Sequence, residues 1–370
     1  MSPTLHESRR FGRKLIRAFY PKPTAECESE LKKMITLYRW NSSANAGQWT
    51  NSPDLPDRCG IPEGEIWWID LESPTPEEDA RILEHVLALH PLTVEDITKP
   101  RREPGDGLHF PKVEEFADYL FVIVNPLGEP QAPDEPLSEI TAGGTQLSAV
   151  LNRHLLVTHH YRPLASVKRV REFLDRHAQQ AQRGPDYLFH LILDGMVDDY
   201  APEIDRLVER LDEIETELFD QPSAHVLSEL IRLKRRLVMF RKTLILEREV
   251  LARLIRGEFE LVDDREMAYY RNVYDHLVRY AELTEGAREM VSDLMQTHLA
   301  AVSNKLNGIM KAMAMVSTVI LPMSLVSGIY GMNFKHMPEL EWEWGYPMAL
   351  GMMAALAVGF VGLFYWKKWL

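Results

Sequence analysis

Residues 306–330, LNGIMKAMAMVSTVILPMSLVSGIY, form an apolar run long enough to cross a lipid bilayer, and a second run, YPMALGMMAALAVGFVGLFYW at 346–366, follows after a short gap. Roughly 20 helical residues, each rising about 1.5 Å, span a hydrocarbon core about 30 Å thick. Lys311 is the only Lys, Arg, Asp or Glu in the first run, and the second has none. A buried hairpin in a globular core is the competing reading, and this length and composition disfavour it.

The flanks of the two runs orient them. Lys305 and Lys311 begin the first, Lys367 and Lys368 follow the second, and Lys335 is the single Lys or Arg between them. The positive-inside tendency therefore places both termini in the cytoplasm and the 331–345 loop outside. Trp342, Trp344, Tyr346, Trp366 and Trp369 fall near the expected interfaces, where amphipathic rings are favoured.

Everything before about residue 304 reads as globular protein within a chain that is 45% hydrophobic and 26% charged. A net charge of -13 argues against a nucleic-acid partner and suits cations. Cys27 and Cys59 have no metal-ligand spacing and read as free thiols. His159, His160 and the scattered Ser and Asp residues show no nucleophile motif, Gly-rich phosphate loop or zinc spacing, so an enzyme is not expected.

Proline placement divides the soluble part, because the chain has 23 prolines yet none between Pro222 and Pro322. That stretch is expected to be helical. Residues 1–59, with basic Arg9, Arg10, Arg13, Lys14 and Arg17, are expected to be a flexible tail. Residues 60–185 alternate strand-like and helical runs, among them Ile66 to Ile69, a helix entered through Ser73-Pro74, Tyr119 to Val124, Leu147 to Leu151 and Leu155 to Thr158. They predict an α+β cytoplasmic domain with a mixed or antiparallel sheet. Residues 186–262 are expected to form a helical region in which an acidic helix, Glu203 to Glu217, pairs through a turn at Pro222 with a basic one, Arg232 to Lys242, two solvated faces being the alternative. A stalk helix over 263–305 leads into the first span, 306–330; the external loop 331–345, the second span 346–366 and a basic cytoplasmic end, 367–370, complete the chain.

One stripe of the first span collects its small and polar residues. Asn307, Met310, Met313 or Ala314, Ser317, Leu321, Ser324 and Gly328 recur at three- and four-residue steps and so share a helix face. Two spans enclose no path, but several copies would stack this face into rings that line one. Packing of small residues between helices in lipid is the alternative use of such a stripe.

Tyr330-Gly331-Met332-Asn333-Phe334, then Met337-Pro338-Glu339-Leu340, Glu341-Trp342-Glu343-Trp344-Gly345-Tyr346-Pro347 and a final Lys367-Lys368-Trp369-Leu370, resembles the CorA-type magnesium channel family. The resemblance runs from about residue 60 to the end. It implies a funnel-shaped homopentamer in the plasma (inner) membrane that admits Mg²⁺, and Co²⁺ or Ni²⁺ in several relatives, with Gly331, Met332 and Asn333 as its outer selectivity ring. Mg²⁺ gives up water reluctantly, so a ring of amide oxygens that contacts the hydrated ion suits it. Glu339, Glu341 and Glu343 concentrate cations at the mouth, which Lys335 opposes.

The same resemblance implies closure by cytoplasmic Mg²⁺ bound between subunits, with Glu95, Asp96, Asp194 and His276 at the regulatory positions. Asn272 stands where a second bridging aspartate is expected, and Asp275 is the nearby substitute. Two other readings stay open: a Zn²⁺ transporter of the ZntB type, and a membrane-anchored sensory or interaction protein that moves no ion.

Overall fold

The computed structural model describes residues 34–51, 60–102, 108–127, 145–220, 224–332, 337–338 and 342–369. Two compact units are distinguished, one holding the described chain through Glu213 together with Ile231–Val291, the other Ile214–Leu230 and Ser292 onward.

The first unit is built on a seven-stranded mixed sheet. Its strands are β1 (Met34–Asn41), β2 (Ala46–Asn51), β3 (Glu65–Glu72), β4 (Lys112–Glu115), β5 (Leu120–Val124), β6 (Leu147–Leu151) and β7 (Leu155–His160). Their spatial order is β2-β1-β3-β7-β6-β5-β4, with β3 and β7 parallel and every other pair antiparallel. Period-two alternation sends Trp67, Ile69 and Leu71 of β3 to one face and Ile66 and Trp68 to the other. Strand β5 is buried along its whole length because both of its faces are covered.

On one face lie α1 (Pro76–Asp79, continuing as a π-helical turn over Ala80–Val86) and α2 (Pro91–Arg102), which bury Ile82, Leu83, Val86 and Ile97. On the other face pack α3 (Ala165–Arg176), α4 (Pro185–Asp198), α5 (Tyr200–Asp220), α6 (Ala224–Ile255) and the start of α7 (Met267–Tyr330). Helix α1 enters through Thr75-Pro76 rather than Ser73-Pro74. The Thr75 hydroxyl accepts from the Glu78 amide at 3.2 Å while the Glu78 carboxylate accepts from the Thr75 amide at 2.7 Å, a reciprocal cap that Ser73 does not make.

The expected tail over 1–59 is corrected at its far end, because β1 and β2 form a hairpin that extends the sheet from residue 34. Tyr38 and Trp40 point into the same core layer as Trp68, and Asn41 closes the turn by accepting from the amides of Ser43 and Ala44. Gly47 is required in β2 because a β-carbon there would collide with the Tyr38 hydroxyl. The pairing of acidic and basic helices is carried by Glu203 on α5, buried and 3.0 Å from Arg236 on α6. The turn at Pro222 lies outside the described residues.

A polar contact under the sheet makes a testable point about stability. Glu247 on α6 is fully buried, accepts from the Asn125 amide at 3.0 Å and lies 2.9 Å from the Tyr200 hydroxyl. Burial, only partly offset by those two donors, lifts its carboxyl from near 4.5 to about 8. Between these values the folded protein keeps a proton that the unfolded chain releases. The stability this group contributes is therefore full below the lower value and is lost as pH rises through the upper one. Glu247→Gln cannot ionise, so the melting temperature of the full chain should fall less from pH 5 to pH 8.5 than that of wild type. Parallel profiles for the two proteins would contradict this assignment.

In the second unit α7 continues without a break through Pro322 to Tyr330, and α8 covers Gly345–Trp366. Among the described residues these are the two helices long and apolar enough to cross a membrane, and only 6% and 11% of their apolar windows are buried. A core helix would be covered, so this surface calls for lipid or further protein.

Candidate functional site

Helix α7 presents two opposed faces within its membrane segment. Met315, Val319, Pro322, Met323, Val326 and Tyr330 are partly buried, whereas Ser317, Leu321, Ser324 and Gly328 are exposed, as are Val316, Ile320, Leu325 and Ile329 on the flanks. Each of Ser317, Leu321, Ser324 and Gly328 follows one of the partly buried set by two residues, which is about 200° around a helix. The small and polar stripe therefore lies opposite the covered face. Asn307, Met310 and Met313 continue it upstream and are also exposed. At the other end of the hairpin the Lys311 ammonium sits 5.7 Å from the Trp369 ring, which sets the start of the first span beside the end of the second. Trp342, Trp344, Tyr346 and Trp366 are all exposed, as an interfacial belt requires.

Gly331 and Met332 close α7 through bonds from their amides to the carbonyls of Ser327, at 3.0 Å, and Ile329, at 3.2 Å. Gly331 is not among the positive-φ residues. A β-carbon on it would stand 3.1 Å from the Ser327 carbonyl oxygen. Met332 and Glu343 are exposed; Asn333, Lys335, Glu339 and Glu341 lie outside the described residues.

The expected regulatory residues fall into separate groups. Asp194 on α4 is half-buried, and Asp198 follows it by one helical turn. The His276 ring on α7 lies 3.9 Å from Asp198. Burial and the Asp198 charge raise the Asp194 carboxyl above its usual range, with His276 pulling the other way. Asn272 and Asp275 are exposed on the same helix.

Asp96 has a different environment. The ammonium of Lys112, the first residue of β4, is 2.5 Å from Asp96 Oδ2 and 2.8 Å from Glu114 Oε1, and the His109 ring is 3.1 Å from Asp96 Oδ1. Burial works against the Lys112 charge, but hydrogen bonds to both carboxylates outweigh it and raise its pKa. Glu95 beside Asp96 is exposed.

Sequence reading missed Lys112, His109, Glu114 and Asp198. A signal existed for three of these: Lys112 and Glu114 are two apart in a strand and so share a face, and Asp198 is four after Asp194 on a helix. Among the described residues, Asp70, Glu72 and His160 form a compact acid and imidazole group, but Arg171 already pairs with Asp70 there. His159 and His160 are buried strand residues hydrogen-bonded to Asp79 and Asp70.

A regulatory Mg²⁺ needs several oxygen ligands with little competition. Asp194 and Asp198, one helical turn apart, supply two carboxylates whose mutual repulsion a divalent ion would relieve. Asp96 fits less well, because the Lys112 ammonium of the same chain already sits at one of its oxygens and the His109 ring faces the other.

Comparison with known proteins agrees with this architecture. Residues 63–368 match the family described as CorA-like Mg2+ transporter protein. The cobalt/magnesium transport protein CorA of Thermotoga maritima is 33% identical over 303 residues, covering 82% of this chain and 83% of that one. The protein of the same name from Methanocaldococcus jannaschii is 25% identical over 317 residues, covering 85% and 94%. The complete structure of the CorA magnesium transporter from Methanocaldococcus jannaschii superposes with a TM-score of 0.73 at 22% identity, covering 90% of this chain and 97% of that one. With the mixed sheet, the continuous helix α7 and the paired apolar helices already in place, this chain belongs to the CorA-like Mg²⁺ transporter family.

Proposed function

We propose that the protein is a divalent-cation channel of the plasma (inner) membrane, formed by several copies, that admits Mg²⁺ together with Co²⁺ or Ni²⁺. The observation that carries this reading is the exposed stripe Ser317, Leu321, Ser324 and Gly328, opposite the covered face of the same helix. A single chain encloses nothing, so the stripe lines a path only when copies meet around an axis, and five is the number the family resemblance implies. Ser317 and Ser324, with Asn307 below, wet the path; Met310, Met313 and Leu321 narrow it and allow gating by dewetting.

At the outer end Gly331, Met332 and Asn333 form the filter, and Glu339, Glu341 and Glu343 raise cation concentration at the mouth. Both termini are cytoplasmic, as the lysines flanking the spans require. Cytoplasmic Mg²⁺ closes the pore by binding at carboxylates of the soluble unit, of which Asp194 with His276 nearby is the better-suited set, with Glu95 and Asp275 adjoining. Binding there relieves repulsion and favours the closed arrangement.

The test is flux into liposomes carrying purified protein and an entrapped metal-sensitive dye. Mg²⁺ entry that saturates and that Co²⁺ competes for is the expected result. No flux of Mg²⁺, Co²⁺, Ni²⁺ or Zn²⁺ would leave the membrane-tethered sensor as the reading, and flux of Zn²⁺ alone would favour a ZntB-type transporter.

A further inference from the structure

We propose that the Lys112 ammonium acts as a built-in cation at Asp96, holding the place a regulatory divalent ion would take, so that Asp96 has no part in Mg²⁺ sensing by this chain. The inference rests on the channel reading above, and it concerns which carboxylates remain available to cytoplasmic Mg²⁺.

Its basis is the local geometry. Lys112 Nζ bridges two carboxylates, 2.5 Å from Asp96 Oδ2 and 2.8 Å from Glu114 Oε1, as a small cation would. His109 Nε2 faces the other Asp96 oxygen at 3.1 Å. The arrangement is fixed from several sides. Lys112 and Glu114 lie two apart on β4, which pairs with β5, and the ammonium also lies 5.6 Å from the Phe121 ring of that strand. Gln146 at the start of β6 donates to the Asp96 backbone carbonyl at 2.9 Å and so ties α2 to the sheet. Asp96 and Lys112 are both mostly shielded, with 17% and 29% of their side chains exposed, so solvent screens the pair only in part.

Competition then favours the lysine. A tethered ammonium has a high effective concentration at the carboxylate, whereas Mg²⁺ must arrive from solution and shed water to make direct contact. For the ion to bind, Lys112 would have to be displaced from two carboxylates at once. Removing the lysine reverses the balance. Asp96 and Glu114 would then repel one another across the vacated position, and a divalent cation taking oxygen ligands would relieve that repulsion.

The experiment compares full-length wild type with Lys112→Gln, Lys112→Arg, Asp96→Asn and the double variant Lys112→Gln with Asp96→Asn. Two readouts are taken: inhibition of liposome flux by Mg²⁺ on the cytoplasmic side, and the Mg²⁺-dependent rise in melting temperature of the detergent-purified protein. Asp96→Asn and Lys112→Arg should match wild type in both. Lys112→Gln should be inhibited at a Mg²⁺ concentration on the order of tenfold lower and show a larger melting shift. The double variant should lose both gains.

Desensitisation by Asp96→Asn alone overturns the proposal, and so does a Lys112→Gln response equal to that of wild type. If wild type passes no divalent ion, the channel reading fails and the melting readout decides this inference by itself. A Mg²⁺ shift that grows in Lys112→Gln and vanishes in the double variant supports it; a wild-type shift that Asp96→Asn removes contradicts it.

Discussion

Asn333→Ala is expected to abolish Mg²⁺-dependent growth rescue of a transport-deficient cell while leaving protein abundance and assembly unchanged. The filter reading gives the amide one task, accepting hydrogen bonds from the water that a hydrated Mg²⁺ carries, and alanine removes the acceptor without adding bulk. A net hydrogen bond contributes about 1 kcal/mol, about fivefold in rate, and the loss multiplies with each copy whose amide lines the filter. The helix end that leads to this position is closed by the amides of Gly331 and Met332, which bond to carbonyls of α7. Rescue equal to wild type would remove Asn333 from the filter.

Asp70→Ala is expected to give the largest loss of stability in the soluble unit. Asp70 on β3 is fully buried and accepts from Thr158 and Arg171, while His160 lies 3.2 Å away. Arg171 on α3 also donates to Thr36 on β1, so one carboxylate joins three strands and a helix. Burial works to raise its pKa, but His160, Arg171 and the Thr158 hydroxyl outweigh that and hold it below its ordinary value. His160 is raised in turn, with Asp70 at one ring nitrogen and the Arg162 carbonyl at the other outweighing its own burial.

Removing the carboxylate leaves the mostly shielded Arg171 guanidinium and the buried His160 ring without their shared partner, which costs about 3–5 kcal/mol. The melting temperature of the full chain should fall by about 10 °C. The pH dependence has a definite sign. Because the folded pKa of Asp70 is depressed, its contribution is present above the ordinary aspartate range and is lost as pH falls through the folded value. The gap between wild type and variant should therefore close in acid, and a gap constant from pH 7 to pH 2 would contradict the assignment.

How much of this was legible in the sequence depends on whether a signal was local. The apolar runs, the lysines that bracket them and the stripe from Asn307 to Gly328 all follow from spacing along one helix. The structure adds that this stripe lies opposite the covered face at Met315, Val319 and Val326. The first hairpin carried a local signal too, since Ile35 and Leu37 alternate with Thr36, Tyr38 and Trp40 ahead of a turn of Asn and Ser. Reading that segment as tail gave its basic N-terminal part more weight than this alternation.

Asp96 marks the other limit. Its place on a helix can be read from the chain, but its partner Lys112 is sixteen residues away on a strand, across residues with no regular spacing. Likewise nothing local announces that Asp70, Thr36 and Arg171 meet, because their neighbourhood is created by the order β2-β1-β3-β7 and by α3 crossing it.

The sequence by itself determined that this protein has two membrane-length helices, a soluble α+β part ahead of them and one polar stripe on the first span, because hydrophobic length and helical period are properties of neighbouring residues. Only the tertiary structure decided which charges neutralise which, since ion pairs form between groups brought together by strand order and helix packing. Whether a carboxylate is left for a metal depends on that meeting, and for Asp96 the nearest cation is the protein's own lysine.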